Sequence, residues 1–435
     1  MALALWSARV QKPLPLGYIG LEEYWRLADQ FSTGEKLHGE VPFAYRVAVP
    51  WMASRLAPHA LRSGFLVVNV LSGILVAPLL VAWLAVFVRR VAIRMAMVVV
   101  YAATWLNAVR YPFSNPVYVD PPFIVLMLIA FLSIQSLKTR SNGAACLVLS
   151  MSCVAGTLVR ETMLLVPIAW LFARHPVGIP GARVGRPSVL RLPPPVCWVP
   201  LIASIATVVV IHSIVEAEGT RTFGCAALQW LHKPLSSFAL SWLTVFGPLV
   251  ALLLYDWRRT LRFLSEQQDF LAFLVAGASL ALIGGADTER FLCWLMPAMY
   301  VLIGMSMERH WSAIISPPIA VSLIACQAVA ARVFWPIPDV DGGTPTPLGA
   351  ASTIGSRLYG VLNRLFVLDD FYWNLWSSFG SPTFRLLRLG IYAGAVLLFI
   401  LAIHRRELAS PRAPDSSSPA ARVAGMDGVI HGSTQ

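Results

Sequence analysis

The strongest constraint on this chain is a succession of apolar runs between residues 64 and 403. The runs 64–88, 91–109, 117–137, 143–159, 194–216, 238–255, 270–285, 291–307, 311–331 and 386–403 have the length and polarity of helices that cross a bilayer. A shorter run, 162–173, follows Arg160-Glu161 and at 1.5 Å per residue covers only part of a crossing, so it completes an eleventh one. With 57% apolar and 13% charged residues, a water-soluble domain could not hide this much apolar surface. The expected fold class is therefore an all-α polytopic membrane protein with about 10–11 transmembrane helices.

Charge sets the threading. The net charge of +12 could suggest nucleic acid, but the bases cluster in short loops between apolar runs, which fits the positive-inside rule; no nucleic-acid partner is expected. If residues 20–60 lie outside, the inner loops hold Arg89, Arg90, Arg94, Lys138, Arg140, Arg174, Arg183, Arg186, Arg191, Arg258, Arg259, Arg262, Arg309, Arg405 and Arg406. The short outer loops hold only Arg110, Arg160, Arg221, Lys233 and Arg290. The expected organisation is an external N-terminal segment with an amphipathic helix (1–62), a transmembrane bundle (63–331), an external loop with interfacial helices (332–385), a last transmembrane helix (386–403) and a disordered cytoplasmic tail (404–435). The first seventeen residues are too short and too often broken by Pro and Arg to form a signal peptide or a span. Either the N-terminus crosses unaided or a preceding helix is missing from the sequence, and the second reading is favoured.

This threading gathers the unusual charges at one face. Arg110, Arg160-Glu161, Glu216 and Glu218, and Asp287, Glu289 and Arg290 fall at outer ends of runs, and the N-terminal segment adds Glu22, Glu23, Asp29 and Arg46. Asp287 or Thr288 reads as a helix N-cap, with Glu289 in the favoured first turn. Arg290 fits neither role, because a cation near a helix N-terminus is mildly unfavourable and opposes the charge bias; snorkelling or anion binding would account for it. Arg160 and Glu161 are neighbours whose side chains project differently, so each needs its own partner. Glu22, Glu23, Arg26 and Asp29 fit the polar face of an amphipathic helix, with Leu21, Tyr24, Trp25 and Ala28 turned to the membrane. A solvated helix face explains such charges one at a time. A general base at this end would nevertheless come from Glu22, Glu23 or Asp29, or from Glu161, Asp287 or Glu289.

Other signals are weaker. Asp339-Val-Asp341 has the spacing with which two carboxylates can hold a divalent cation, but its Gly/Pro-rich surroundings read better as a turn. No metal site is assigned, and any cofactor is unknown. The six cysteines mostly lie inside apolar runs without CxxC spacing and read as small buried hydrophobes. No Walker A, GxGxxG, HExxH or GxSxG pattern is present, so ATP-driven transport and zinc proteolysis have no motif behind them.

Three stretches carry a resemblance. Glu289-Arg290-Phe291-Leu292 followed by Pro297 resembles a stretch of the mannosyltransferase branch of the GT-C superfamily, polytopic glycosyltransferases that use polyprenyl-phosphate-linked sugars. Leu158-Val159-Arg160-Glu161-Thr162 is similar to a stretch after an earlier helix in bacterial members. Tyr24 to Ala28 with Pro42 to Trp51 looks like the first external loop of bacterial relatives. The superfamily usually places an acid in that loop just after a first membrane helix. Here the positions before Tyr24 are Gly20 and Leu21, so Glu22 or Glu23 would substitute. The resemblance implies a GT-C-like fold and a polyprenyl-phosphate sugar bound in the outer half of the bundle. An acceptor glycan, lipid or protein would arrive from the periplasmic or luminal side, and the anomeric centre would invert. It implies Glu22, Glu23 or Asp29 as catalytic acids, and Arg290, Arg160 and Arg46, with Glu289 and Glu161, around the phosphate. The setting would be a bacterial inner membrane with the C-terminus in the cytoplasm, in cell-envelope synthesis. A lipid or sugar transporter or flippase, and a non-catalytic protein of envelope biogenesis, remain competing readings; a transporter would want charge or broken helices near the midplane and repeated halves.

Overall fold

The computed structural model describes residues 21–104, 107, 109–139, 143–173, 195–218, 233–284, 288–331, 333 and 382–409. The segment 334–381, including Asp339 and Asp341, lies outside the described residues, as do Asp287 and the tail beyond 409.

The described chain is almost wholly helical. Its α-helices longer than four residues are α1 (Leu21–Thr33), α2 (Ala48–Leu56), α3 (Leu61–Ala85), α4 (Val91–Ala103), α5 (Asp120–Thr139), α6 (Gly143–Val159), α7 (Leu165–Leu171), α8 (Val199–Ile214), α9 (Leu235–Phe246), α10 (Val250–Tyr255), α11 (Trp257–Glu266), α12 (Gln268–Ile283), α13 (Thr288–Cys293), α14 (Met296–Arg309), α15 (Pro317–Ala330) and α16 (Pro382–Ala409). Each of the eleven apolar runs contains helix. Five helical segments are long and apolar enough to cross a membrane: Leu61–Ala85, Asp120–Thr139, Val196–Ile214, Leu235–Tyr255 and Arg385–Ala409. Among the described residues the helices in the remaining runs are shorter than a full crossing, so five of the expected ten to eleven spans are complete in length there.

Surface chemistry agrees with a bilayer setting. Helix α3 exposes Val67, Leu71, Ile74 and Leu75, α8 exposes Ile202, Val209 and Val210, and α16 exposes Leu397 and Leu398. Apolar rows of this extent aggregate in water and are ordinary against lipid. Behind them, Trp83, Phe87, Phe131, Phe263, Phe270 and Phe273 pack as one aromatic cluster. The Trp83 indole donates to the Pro297 carbonyl at 2.7 Å, which satisfies a fully buried donor.

Two departures from the sequence reading bear on the site. First, α1 does not turn its apolar face to lipid. Tyr24, Leu27 and Ala28 are buried, α1 packs on α2, and the Tyr24 ring meets Phe43 edge-on at 5.6 Å. The stripe was found by periodicity, but what covers it is protein. Second, two three-residue strands, β1 (His38–Glu40) and β2 (Glu216–Glu218), pair in parallel and tie the N-terminal segment to the end of α8. At the joint between α2 and α3, Gly64 lies so close to the Ala53 carbonyl that no side chain fits.

Charged contacts between distant segments gather at the two ends of the bundle. At one end are Asp120–Arg160, Asp120–Arg290, Arg46–Glu161 and the β1–β2 pair. At the other, Lys138 meets Asp269 at 2.6 Å, the Glu308 carboxylate accepts the Arg89 and Arg90 backbone N–H groups, and Asp256, Arg309, His310 and Glu407 form a network. Each of these contacts joins residues that the charge-based threading puts on the same side.

Candidate functional site: a cluster of arginines around Asp120

The site is built where three chain breaks meet. Asp120 opens α5 and is followed by Pro121 and Pro122, residues suited to the first turn of a helix because they lack an N–H. The approach to it is fixed by Asn69 of α3, which donates to the Pro116 carbonyl at 2.7 Å. Arg160 stands alone in an extended conformation between α6 and a 3-10 turn, Glu161–Leu164. Arg290 lies on α13, and Arg46 follows a 3-10 turn, Phe43–Tyr45, just before α2.

Asp120 is buried and takes donors from four side chains, the Tyr118 hydroxyl among them. Arg160 Nη1 forms a close ion pair with Oδ1, Arg290 Nε donates to Oδ2 at 2.8 Å, and Trp294 Nε1 donates to Oδ2 at 3.1 Å. Aromatic faces brace both guanidiniums, Arg160 over Trp294 at 4.4 Å and Arg290 over Tyr118 at 4.9 Å. Next to this group, Arg46 Nε donates to Glu161 Oε2 at 3.1 Å and Arg46 Nη1 to the Tyr24 hydroxyl at 2.9 Å. Arg160 and Glu161 do take different partners, because the extended residue at 160 turns the two side chains apart.

The three arginines lie within electrostatic reach of one another. Burial pulls Arg46 down, but Glu161 and then Tyr24 outweigh it and hold its pKa above the ordinary value. For Arg160, burial and then the charge of Arg290 prevail over Asp120 and bring it down to about 10, so it stays charged at neutral pH. The ion pairs of the cluster join three guanidiniums to two carboxylates, Asp120 and Glu161, with the buried Glu289 next to Arg290 on α13 outside these pairs. That positive excess, in a site shielded from water, is a setting in which a phosphate would find fork-shaped donors.

The residues expected from sequence divide sharply. Arg46, Arg160, Arg290 and Glu161 come together. Glu289 is fully buried on α13, beside Arg290 in sequence. Glu22 and Asp29 are exposed on α1. Glu23 is buried but committed to Arg26 at 2.6 Å and to the Glu40 backbone N–H at 2.8 Å, where it holds α1 against β1. The acid at the centre is Asp120, which the sequence reading passed over. One signal was available: an aspartate inside the assigned run 117–137, where an ionisable residue is a functional candidate by default.

Neither known family models, nor curated proteins, nor solved structures yield a match to this chain, so the geometry of this cluster is what bears on function.

Proposed function

We propose that the protein is a membrane glycosyltransferase that moves a sugar from a polyprenyl-phosphate donor to an acceptor hydroxyl at the Asp120 end of the bundle. The observation that carries the reading is the convergence of Arg46, Arg160 and Arg290 on one buried site. In this chemistry the leaving group is a lipid phosphate, whose charge grows as the sugar–oxygen bond breaks. Arg160 and Arg290 neutralise that charge, and Asp120 keeps the two guanidiniums in register before the donor arrives. With its oxygens occupied by donors from Arg160, Arg290, Trp294 and Tyr118, Asp120 is an organiser and a poor proton acceptor. The polyprenyl chain lies along the apolar helix faces, and the transfer is a single displacement that inverts the anomeric centre. The proposed setting is a bacterial envelope membrane with the site on the outer face and the C-terminus inside.

A transporter would need ionisable groups between its two ends. The ion pairs among the described residues instead gather at the ends, which favours chemistry at one face. The test is purified full-length protein in lipid with a polyprenyl-phosphate hexose: polyprenyl phosphate should be released, and Arg290→Lys should slow release at least tenfold. Release that is absent in the wild-type protein, or unaffected by the substitution, would reject the reading.

A further inference from the structure

Beside the arginine cluster, the helices part at Glu161 to leave a shallow crevice of about 10 Å³, room for one water-sized group such as a hydroxyl, lined by Tyr45, Thr157, Glu161, Thr207, Ile211 and His212. Its polar lining differs in kind from that of the cluster. Glu161 Oε2 is held by Arg46, whereas Glu161 Oε1 is shielded from solvent and has no hydrogen-bond partner among the described residues. The Thr157 hydroxyl donates to the Cys153 carbonyl and the Thr207 hydroxyl to the Ala203 carbonyl, both at 2.8 Å, so both turn their protons into their own helices. Tyr45 stacks on His212 with ring centroids 3.5 Å apart, which fixes the outer wall. Alongside the Tyr45 and His212 rings, the Thr157, Thr207 and Glu161 oxygens offer acceptors, which suit a ligand that brings O–H donors, while the carboxylate disfavours a phosphate here.

We infer that this crevice is the acceptor subsite, that it takes a sugar hydroxyl, and that Glu161 is the general base; the inference rests on the glycosyltransferase reading above. Glu161 belongs to both halves: Arg46 takes its Oε2, the residue lines the crevice, and Oε1 is left for the acceptor. As the acceptor oxygen attacks the anomeric carbon, its proton passes to Glu161 Oε1. The carbon–oxygen bond to phosphate breaks, and its electron pair leaves on polyprenyl phosphate beside Arg160 and Arg290. Arg46, bonded to Oε2, orients the carboxylate.

The test uses full-length protein in lipid, a polyprenyl-phosphate hexose as donor, and methyl and decyl hexosides as acceptor probes, with polyprenyl phosphate binding measured separately. Glu161→Gln keeps an oxygen for Arg46. It should leave polyprenyl phosphate binding within about threefold of wild type, lower kcat for transfer about 100-fold or more, and remove the acidic limb of the rate–pH profile. Thr207→Trp fills the crevice and should raise acceptor KM at least tenfold with lipid-phosphate binding unchanged. Turnover of the methyl hexoside indicates an acceptor entering from water, and turnover of the decyl hexoside alone one entering from lipid; either supports the subsite. Wild-type kcat in Glu161→Gln, or loss of transfer and phosphate binding together, overturns the inference, the second result reducing Glu161 to a brace for Arg46. A wild-type protein that binds polyprenyl phosphate but glycosylates neither probe also overturns it, and one that does not bind polyprenyl phosphate overturns the parent reading with it.

Discussion

Asp120 shows how much one side chain can organise. A carboxylate removed from water is costly unless charged donors surround it, and here Arg160, Arg290 and Trp294 do so. Asp120→Asn retains the shape but leaves two guanidiniums facing a neutral amide. It should lower stability by roughly 3 kcal/mol, the usual scale for breaking a buried pair, read as a fall in the thermal midpoint in detergent. Arg290→Lys should cost less stability and more activity. An ammonium can still meet Asp120, but it cannot keep the Nε contact at 2.8 Å while lying flat on Tyr118. Comparing the unfolding midpoints and donor turnover of the two variants checks both expectations. At this scale the arginines were legible, because each opposes the charge bias of its side. Asp120 was hidden by its context: before two prolines and an apolar run it looks like an ordinary helix start.

Among the elements, the breaks matter more than the helices. Arg160 reaches Asp120 because the chain is extended at that one residue between α6 and the following 3-10 turn. The N-terminal segment reaches the site because α2 packs closely on α3 at Gly64, where the Ala53 backbone leaves no room for a side chain. Gly64→Leu should therefore push α2 outward and carry Arg46 away from Glu161. The expected cost is about 1–3 kcal/mol together with reduced donor affinity, measured by thermal unfolding and by polyprenyl phosphate binding. Helix positions were readable from the runs. The packing of α1 was not, because a hydrophobic stripe gives a face without naming its cover. Tyr24 faces protein because Arg46 takes its hydroxyl and Phe43 its ring.

For the molecule as a whole, the gathering of charged contacts at two ends restates in three dimensions what the loop charges imply. Lys36 is highly exposed at the site end and Arg259 well exposed at the other, with side-chain exposures of 87% and 63%. Lys36→Cys should react with a membrane-impermeant maleimide on intact cells, and Arg259→Cys only after permeabilisation. The opposite pattern would invert the threading. The all-helical architecture was legible from composition and run length alone. The function was not, because it depends on which charges meet, and that is decided by chain breaks the apolar pattern does not encode.

We propose that Arg46, Arg160 and Arg290 form a seat for a lipid phosphate. The most direct measurement compares the binding of polyprenyl phosphate and uncharged polyprenol to purified protein, wild type against Arg290→Gln. The account predicts that the wild-type protein prefers the phosphate by at least about tenfold, some 1.4 kcal/mol, and that the substitution removes the preference while the alcohol binds as before. Equal binding of phosphate and alcohol to the wild-type protein, or a preference that survives the loss of Arg290, would contradict it.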